Sequence, residues 1–199
     1  MGWKNEKAKQ SKKILIEAAI EIFSQNGVHA ANVDDIVDRA GCSKGTFYYY
    51  FESKEALVLE ILDIATEKMK SSYAATLELD LDFKESLKKL TQGRIAVVSN
   101  KQNFFPIILS GAMKKGHRMP PNIREKMFAF MKADISYMTE LFEKSQTEIR
   151  KDIPIKTAVM LFSCMSDSVF RSKMFCDSDI KLDADMIVSA FLNGIAKGK

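Results

Sequence analysis

Residues 43–54 hold the densest chemistry of the 199-residue sequence: Ser43, Lys44, Gly45 and Thr46, then Phe47-Tyr48-Tyr49-Tyr50-Phe51, then Ser53 and Lys54. A serine that caps a helix leaves the next backbone N–H groups facing outward, where a phosphate is stabilised. Lys44 adds a cation at that end. Gly45 removes a side chain, so the backbone can come close to a neighbouring strand. Thr46 offers a hydroxyl for a hydrogen bond and a methyl for contact with a thymine methyl. Phe47 and Phe51 are four apart, share one helix face and anchor it in a core. Tyr49 points away from that face, with Tyr48 and Tyr50 beside it. A rigid ring with one polar tip suits a phosphate oxygen. Ser53 caps a further helix, and Lys54 brings a second cation to its start. This is chemistry for holding a nucleic acid. For enzymatic work the sequence has no Walker-type glycine loop, no His-Glu-x-x-His and no nucleophile elbow, and two histidines give few candidates for proton transfer.

The elements that position these residues read as all-α. Only 9 Gly and 4 Pro punctuate the chain, too few for the turns of a sheet-rich fold. A first helix spans 9–26, with Leu15, Ala18, Ala19, Ile22 and Phe23 as its stripe and Gly27 as its stop. Asn32 caps a helix over 33–40, with Asp34 and Asp35 in its first turn. Gly41-Cys42-Ser43 joins it to a second short helix over 44–51, giving a helix–turn–helix over about 32–51. A long helix follows from Ser53 to about residue 77. Further helices are expected over 82–98, 103–115, 122–149, 154–175 and 183–196, about nine in all. The domain boundary is placed inside the long helix, giving domains 9–65 and 66–199.

Net charge is +4, but residues 1–57 hold eight Lys/Arg against eight Asp/Glu, so a nucleic-acid argument must rest on local placement of charge. The lysines of residues 4–13 could add contacts that ignore base sequence. No 18-residue apolar run marks a membrane span, and no apolar run after the N-terminal lysines marks a secretory leader, so a cytoplasmic protein is expected. Cys42, Cys164 and Cys176 fit neither a disulfide framework nor a metal site.

The run Asn32-Val-Asp-Asp-Ile-Val-Asp-Arg-Ala-Gly-Cys-Ser-Lys-Gly-Thr-Phe-Tyr-Tyr-Tyr-Phe-Glu-Ser-Lys-Glu-Ala-Leu57 resembles the DNA-binding motif of the tetracycline-repressor (TetR/AcrR) family. With the preceding helix, the resemblance covers about the first 65 residues. It implies an N-terminal three-helix DNA-binding domain joined by the long helix to a C-terminal helical domain for ligand binding and dimerisation. It further implies a homodimer on a palindromic operator in double-stranded DNA, and repression relieved by a small molecule. Carried over by position, the DNA-contacting residues are Asn32, Ser43, Lys44, Gly45, Thr46, Tyr48, Tyr49, Tyr50 and Lys54. Thr46 and Tyr48 lie where base edges are read. Asn32, Cys42 and Tyr50 depart from the commoner Ser or Thr, aliphatic residue and His of the pattern.

For a hydrophobic ligand, the pocket candidates are Phe104, Phe105, Met113, Met127, Met131, Tyr137, Met138, Phe162 and Met165, with Arg94, Asn103 and His117 as polar anchors. Two-fold pairing of the last two helices through Ile155, Val159, Phe162, Val169, Phe170, Ile187, Ala190, Phe191, Gly194 and Ile195 would build a four-helix interface. No cofactor or metal is expected. Two alternatives stay open: a DNA-binding protein without a ligand, and a thiol-based sensor at Cys42, whose pKa Lys44 and a helix N-terminus could lower.

Overall fold

The computed structural model describes residues 2–79, 81–99, 119–168 and 183–195. Among them are eight α-helices: α1 Gly2–Ala30, α2 Val33–Ala40, α3 Lys44–Tyr50, α4 Lys54–Leu77, α5 Phe83–Ser99, α6 Pro121–Lys144, α7 Ile155–Ser166 and α8 Ala184–Ile195. No described helix is long and apolar enough to cross a membrane. The expected helix over 103–115 lies outside the described residues. The helix expected to run to 149 stops at Lys144, and a 3₁₀ turn, Gln146–Glu148, redirects the chain so that Ile149 is buried.

The starts and stops follow local chemistry. The side-chain oxygens of Asn32, Ser43, Ser53, Asp82 and Asp183 accept from the N–H groups of Asp35, Thr46, Ala56, Glu85 and Met186 at 2.7–3.2 Å. Each such cap stabilises its helix by about 1 kcal/mol. Gly27 breaks the regular path of α1 with φ 76° and ψ 155°, and Gly41 closes α2 at φ 64°. Side chains are strained at such angles, which is why glycine stands at both.

The described residues fall into two compact units. The first holds 2–64 and 119–127. Its core joins Leu15, Ala19 and Phe23 of α1, Ile36 and Val37 of α2, Phe47 of α3, Phe51, and Leu57, Val58, Ile61 and Leu62 of α4. Ile123 and Met127, from the first turns of α6, complete it, and Lys126 pairs with Asp63 of α4. The sequence reading gives these α6 residues to the C-terminal unit. The second unit comprises the rest of α4 and α6 with α5, α7 and α8. Its centre is a cluster of four phenylalanines. Phe142 lies 5.0 Å from Phe83, 5.9 Å from Phe162 and 5.8 Å from Phe191, centroid to centroid. Such tilted and edge-to-face contacts add to what burial alone contributes.

Candidate nucleic-acid interface

The α3 helix is seven residues long and too short to stand alone, so its pose is set by anchors. Phe47 is fully buried and lies 5.7 Å from the ring of Phe51, which is itself buried. These two rings hold one face of α3 in the first core. The opposite face carries Tyr48, 55% exposed, and Tyr49, 78% exposed. Large aromatic side chains left this open beside a core that had room for Phe47 and Phe51 mark a contact surface. Gly45 is exposed, and a methyl added there would meet only the Ser43 hydroxyl at 3.6 Å. The fold therefore does not require glycine at this position.

The remaining predicted contacts are tied into the protein to differing degrees. The Ser43 hydroxyl caps α3 and lies 3.0 Å from the Thr46 hydroxyl, so the two share a hydrogen bond. This pairing uses the Thr46 hydroxyl within the protein. Lys44 pairs with Asp34 of α2 at 2.6 Å, and hydrogen bonding to that carboxylate raises its pKa. The pair is exposed and ties the starts of α2 and α3 together. Asn32 is exposed, and its side-chain oxygen is spent on the α2 cap. Tyr50 is half-buried, packs on the first core and meets Tyr49 edge to face at 4.8 Å. Its ring serves the core, which leaves Tyr48 and Tyr49 as the outward pair. Lys54 turns inward: its ammonium donates to the carbonyls of Ala31 at 2.7 Å and His29 at 3.2 Å.

Sequence reasoning missed the ion pairs that brace this unit. Arg39, at the end of α2, bonds Glu21 of α1, which lowers the Glu21 pKa. Lys12, one of the N-terminal lysines, pairs with Glu60 of α4 at 2.6 Å and sits over the Phe51 ring at 5.7 Å. Residues 2–13 belong to α1 and form no separate arm. Cys42 is half-buried, and burial pushes its thiol pKa up, opposite to the expectation for a redox thiol.

Residues 15–61 match the family of bacterial regulatory proteins, tetR family. The match lies within the first unit, and there the chain is similar to that family. An uncharacterized HTH-type transcriptional regulator of Bacillus subtilis, YvdT, is 32% identical over 97 residues, which cover 49% of this chain. The match spans half, 50%, of that relative's length. A tetR-family regulator from Agrobacterium tumefaciens aligns over 96% of this chain and 100% of its own, with a TM-score of 0.77 at 13% identity. The regulator FadR of Bacillus subtilis, solved in complex with stearoyl-CoA, covers 91% of this chain and 95% of its own, with a TM-score of 0.68 at 21% identity. These likenesses establish the fold.

The expected pocket residues separate. Asn103, Phe104, Phe105, Met113 and His117 lie outside the described residues. Met127 belongs to the first core, and Met131 is exposed. Met138, Phe162, Tyr137 and Met165 do gather in the second core, and Arg94 lies beside Met138. Arg94 reaches Asp167 at 2.6 Å, Asp134 at 2.5 Å and the Tyr73 hydroxyl at 3.3 Å. Tyr73 donates to Asp134 at 2.6 Å and stacks on Tyr137. Burial alone would lower the Arg94 pKa, but Asp134, Tyr73 and Asp167 more than offset it and hold the charge. Burial likewise raises the Tyr73 phenol well above its ordinary range. Among the described residues no His/Cys/Asp/Glu group could hold a metal.

The expected dimer stripe needs correction. Val159, Phe162, Ile187 and Phe191 are buried in the chain's own core, and Ile155 is half-buried against it. Val169, Phe170 and the side chain of Ile195 lie outside what is described. Only Ala190 and Gly194 of that set are exposed. The strongest apolar period marks the inward face. The outward faces of α7 and α8 instead carry Met160, 52% exposed, with Leu161 and Met186.

Proposed function

We propose that the chain is a sequence-specific DNA-binding transcriptional regulator that acts in the cytoplasm as a homodimer. It lays α3 in the major groove of each half of a palindromic operator. The observation that carries this reading is the two-sided α3, with Phe47 buried and Tyr48 and Tyr49 open beside a glycine that the fold itself does not need. Gly45 allows close approach of a strand, the Thr46 methyl reads a base edge, and the tyrosine hydroxyls reach phosphate oxygens. Two copies of α3 must then stand one DNA turn apart, ~34–36 Å, or a multiple of it. Met160, Leu161 and Met186 supply the apolar contact between protomers.

The finer reading is a repressor released by a small hydrophobic ligand held in the second unit. The FadR likeness supports a long-chain acyl-CoA as the first effector to try. Such a ligand shifts the DNA-binding equilibrium only by its differential affinity for the two conformations. The test is selection of bound fragments from genomic DNA, followed by titration of stearoyl-CoA against the selected duplex. A palindromic consensus and weakened binding with stearoyl-CoA are expected. Equal affinity for every duplex at low salt removes the regulator reading, and operator affinity untouched by ligand removes the release mechanism.

A further inference from the structure

Lys54 occupies the first position of α4, where a cation adds to the positive end of the helix dipole. What compensates is a second helix end. Its Nζ lies 2.7 Å from the Ala31 carbonyl and 3.2 Å from the His29 carbonyl, both beyond the break at Gly27. Carbonyls at a helix C-terminus lack intrahelical donors and carry partial negative charge, so a lysine side chain can serve as their cap. Ala31 is 2% exposed, and a carbonyl buried with that residue needs a protein donor. The residue after Ala31 is Asn32, whose side chain caps α2. One ammonium thus joins the end of α1, the entry to α2 and the start of α4.

We propose that Lys54 is a positioning residue for DNA recognition: it fixes the α1–α2 corner, and with it Asn32 and the start of α2, and supplies no phosphate contact. This rests on the DNA-binding reading above. Two of the three ammonium donors are spent on the protein, and the side chain is half-buried where Tyr48 and Tyr49 are open.

Salt dependence separates the two roles, because each phosphate neutralised by a protein cation adds about 0.9 to the slope of log affinity against log salt. Lys54→Met keeps the alkyl stem and removes the donors. Wild type and variant are titrated with the selected operator duplex between about 50 and 200 mM salt, well below either melting point. The expected result is a Kd raised about fivefold at every salt concentration, with the slope unchanged. Destabilisation alone would leave the Kd of the folded variant unaltered, so an unchanged Kd overturns the proposal. A slope reduced by about one also overturns it. Wild type that binds no duplex removes the underlying reading and the proposal with it. Should Lys54→Met fail to fold, the wild-type complex decides by nuclear magnetic resonance. No coupling across a hydrogen bond from Lys54 Nζ to a backbone phosphorus is expected, and such a coupling overturns the proposal.

Discussion

At the scale of single residues, Gly45 is a glycine that the fold itself does not need. An alanine there meets nothing closer than ordinary contact. It also suits a helix better than glycine, by about 0.5–1 kcal/mol. Gly45→Ala is therefore expected to melt no lower than wild type by calorimetry, yet to lose at least about tenfold in operator affinity, the scale of one spoiled base or backbone contact. Cys42 carries an opposite message. Its half-buried thiol has a raised pKa, so less thiolate is present at neutral pH than for a free cysteine, and more appears as the pH climbs. Mass-mapped alkylation at pH 7 should label the exposed Cys164 well before Cys42, and the Cys42 rate should rise with pH. Labelling of Cys42 first would revive the thiol-sensor alternative. The cap at Ser43 and the outward placement of Gly45, Tyr48 and Tyr49 were legible because they depend on the helix these residues share. The partners of Lys44 and Lys54 were not, since Asp34, His29 and Ala31 come from other helix ends that only folding brings near.

At the scale of elements, four helix starts were legible from the sequence because caps are local: Asn32, Ser43, Ser53 and Asp82 each act three residues ahead, whereas α1 begins at Gly2 rather than near residue 9. What periodicity could not reveal is the Arg94 cluster, which ties α4, α5, α6 and the end of α7 through one guanidinium. The Arg94 and Asp134 side chains are only 14% and 19% exposed. Removing the cation leaves a buried carboxylate without its counter-charge, a loss of about 3–5 kcal/mol. Arg94→Met is thus expected to lower stability by that amount in urea denaturation, and adding Asp134→Leu should recover at least half of it. Equal stabilities of the single and double variants would show that the two charges are not coupled. The phenylalanine cluster around Phe142 packs α5, α6, α7 and α8 next to this network, so the second unit has both an apolar and a charged centre.

At the scale of the whole molecule, α7 and α8 carry apolar residues on two faces. Phe162 and Phe191 face inward, while Met160, Leu161 and Met186 face outward on the same helices. A single period could rank the faces but could not tell a core from an interface. Leu161→Glu with Met186→Glu is expected to give a monomer by analytical ultracentrifugation with helix content unchanged by circular dichroism. A dimer that persists would move the interface elsewhere. Ile123 and Met127 belong to the first core although more than 60 residues separate them from Leu57 and Ile61, a distance that no local pattern spans. Truncating a buried isoleucine costs about 2–5 kcal/mol. Ile123→Ala should accordingly lower the stability of the first unit, seen as weakened amide protection at Leu15, Phe47 and Leu57.

The short stretch 119–127 also bears on how this chain can be re-engineered. The recognition module is not a contiguous N-terminal cassette, since part of its apolar filling arrives from the opening turns of α6. A chimera that grafts residues 1–64 onto a foreign effector domain would inherit the reading head but leave a hole where Ile123 and Met127 belong. Transplants meant to keep operator preference should carry that later insert as well, or refill its space with residues of matching volume.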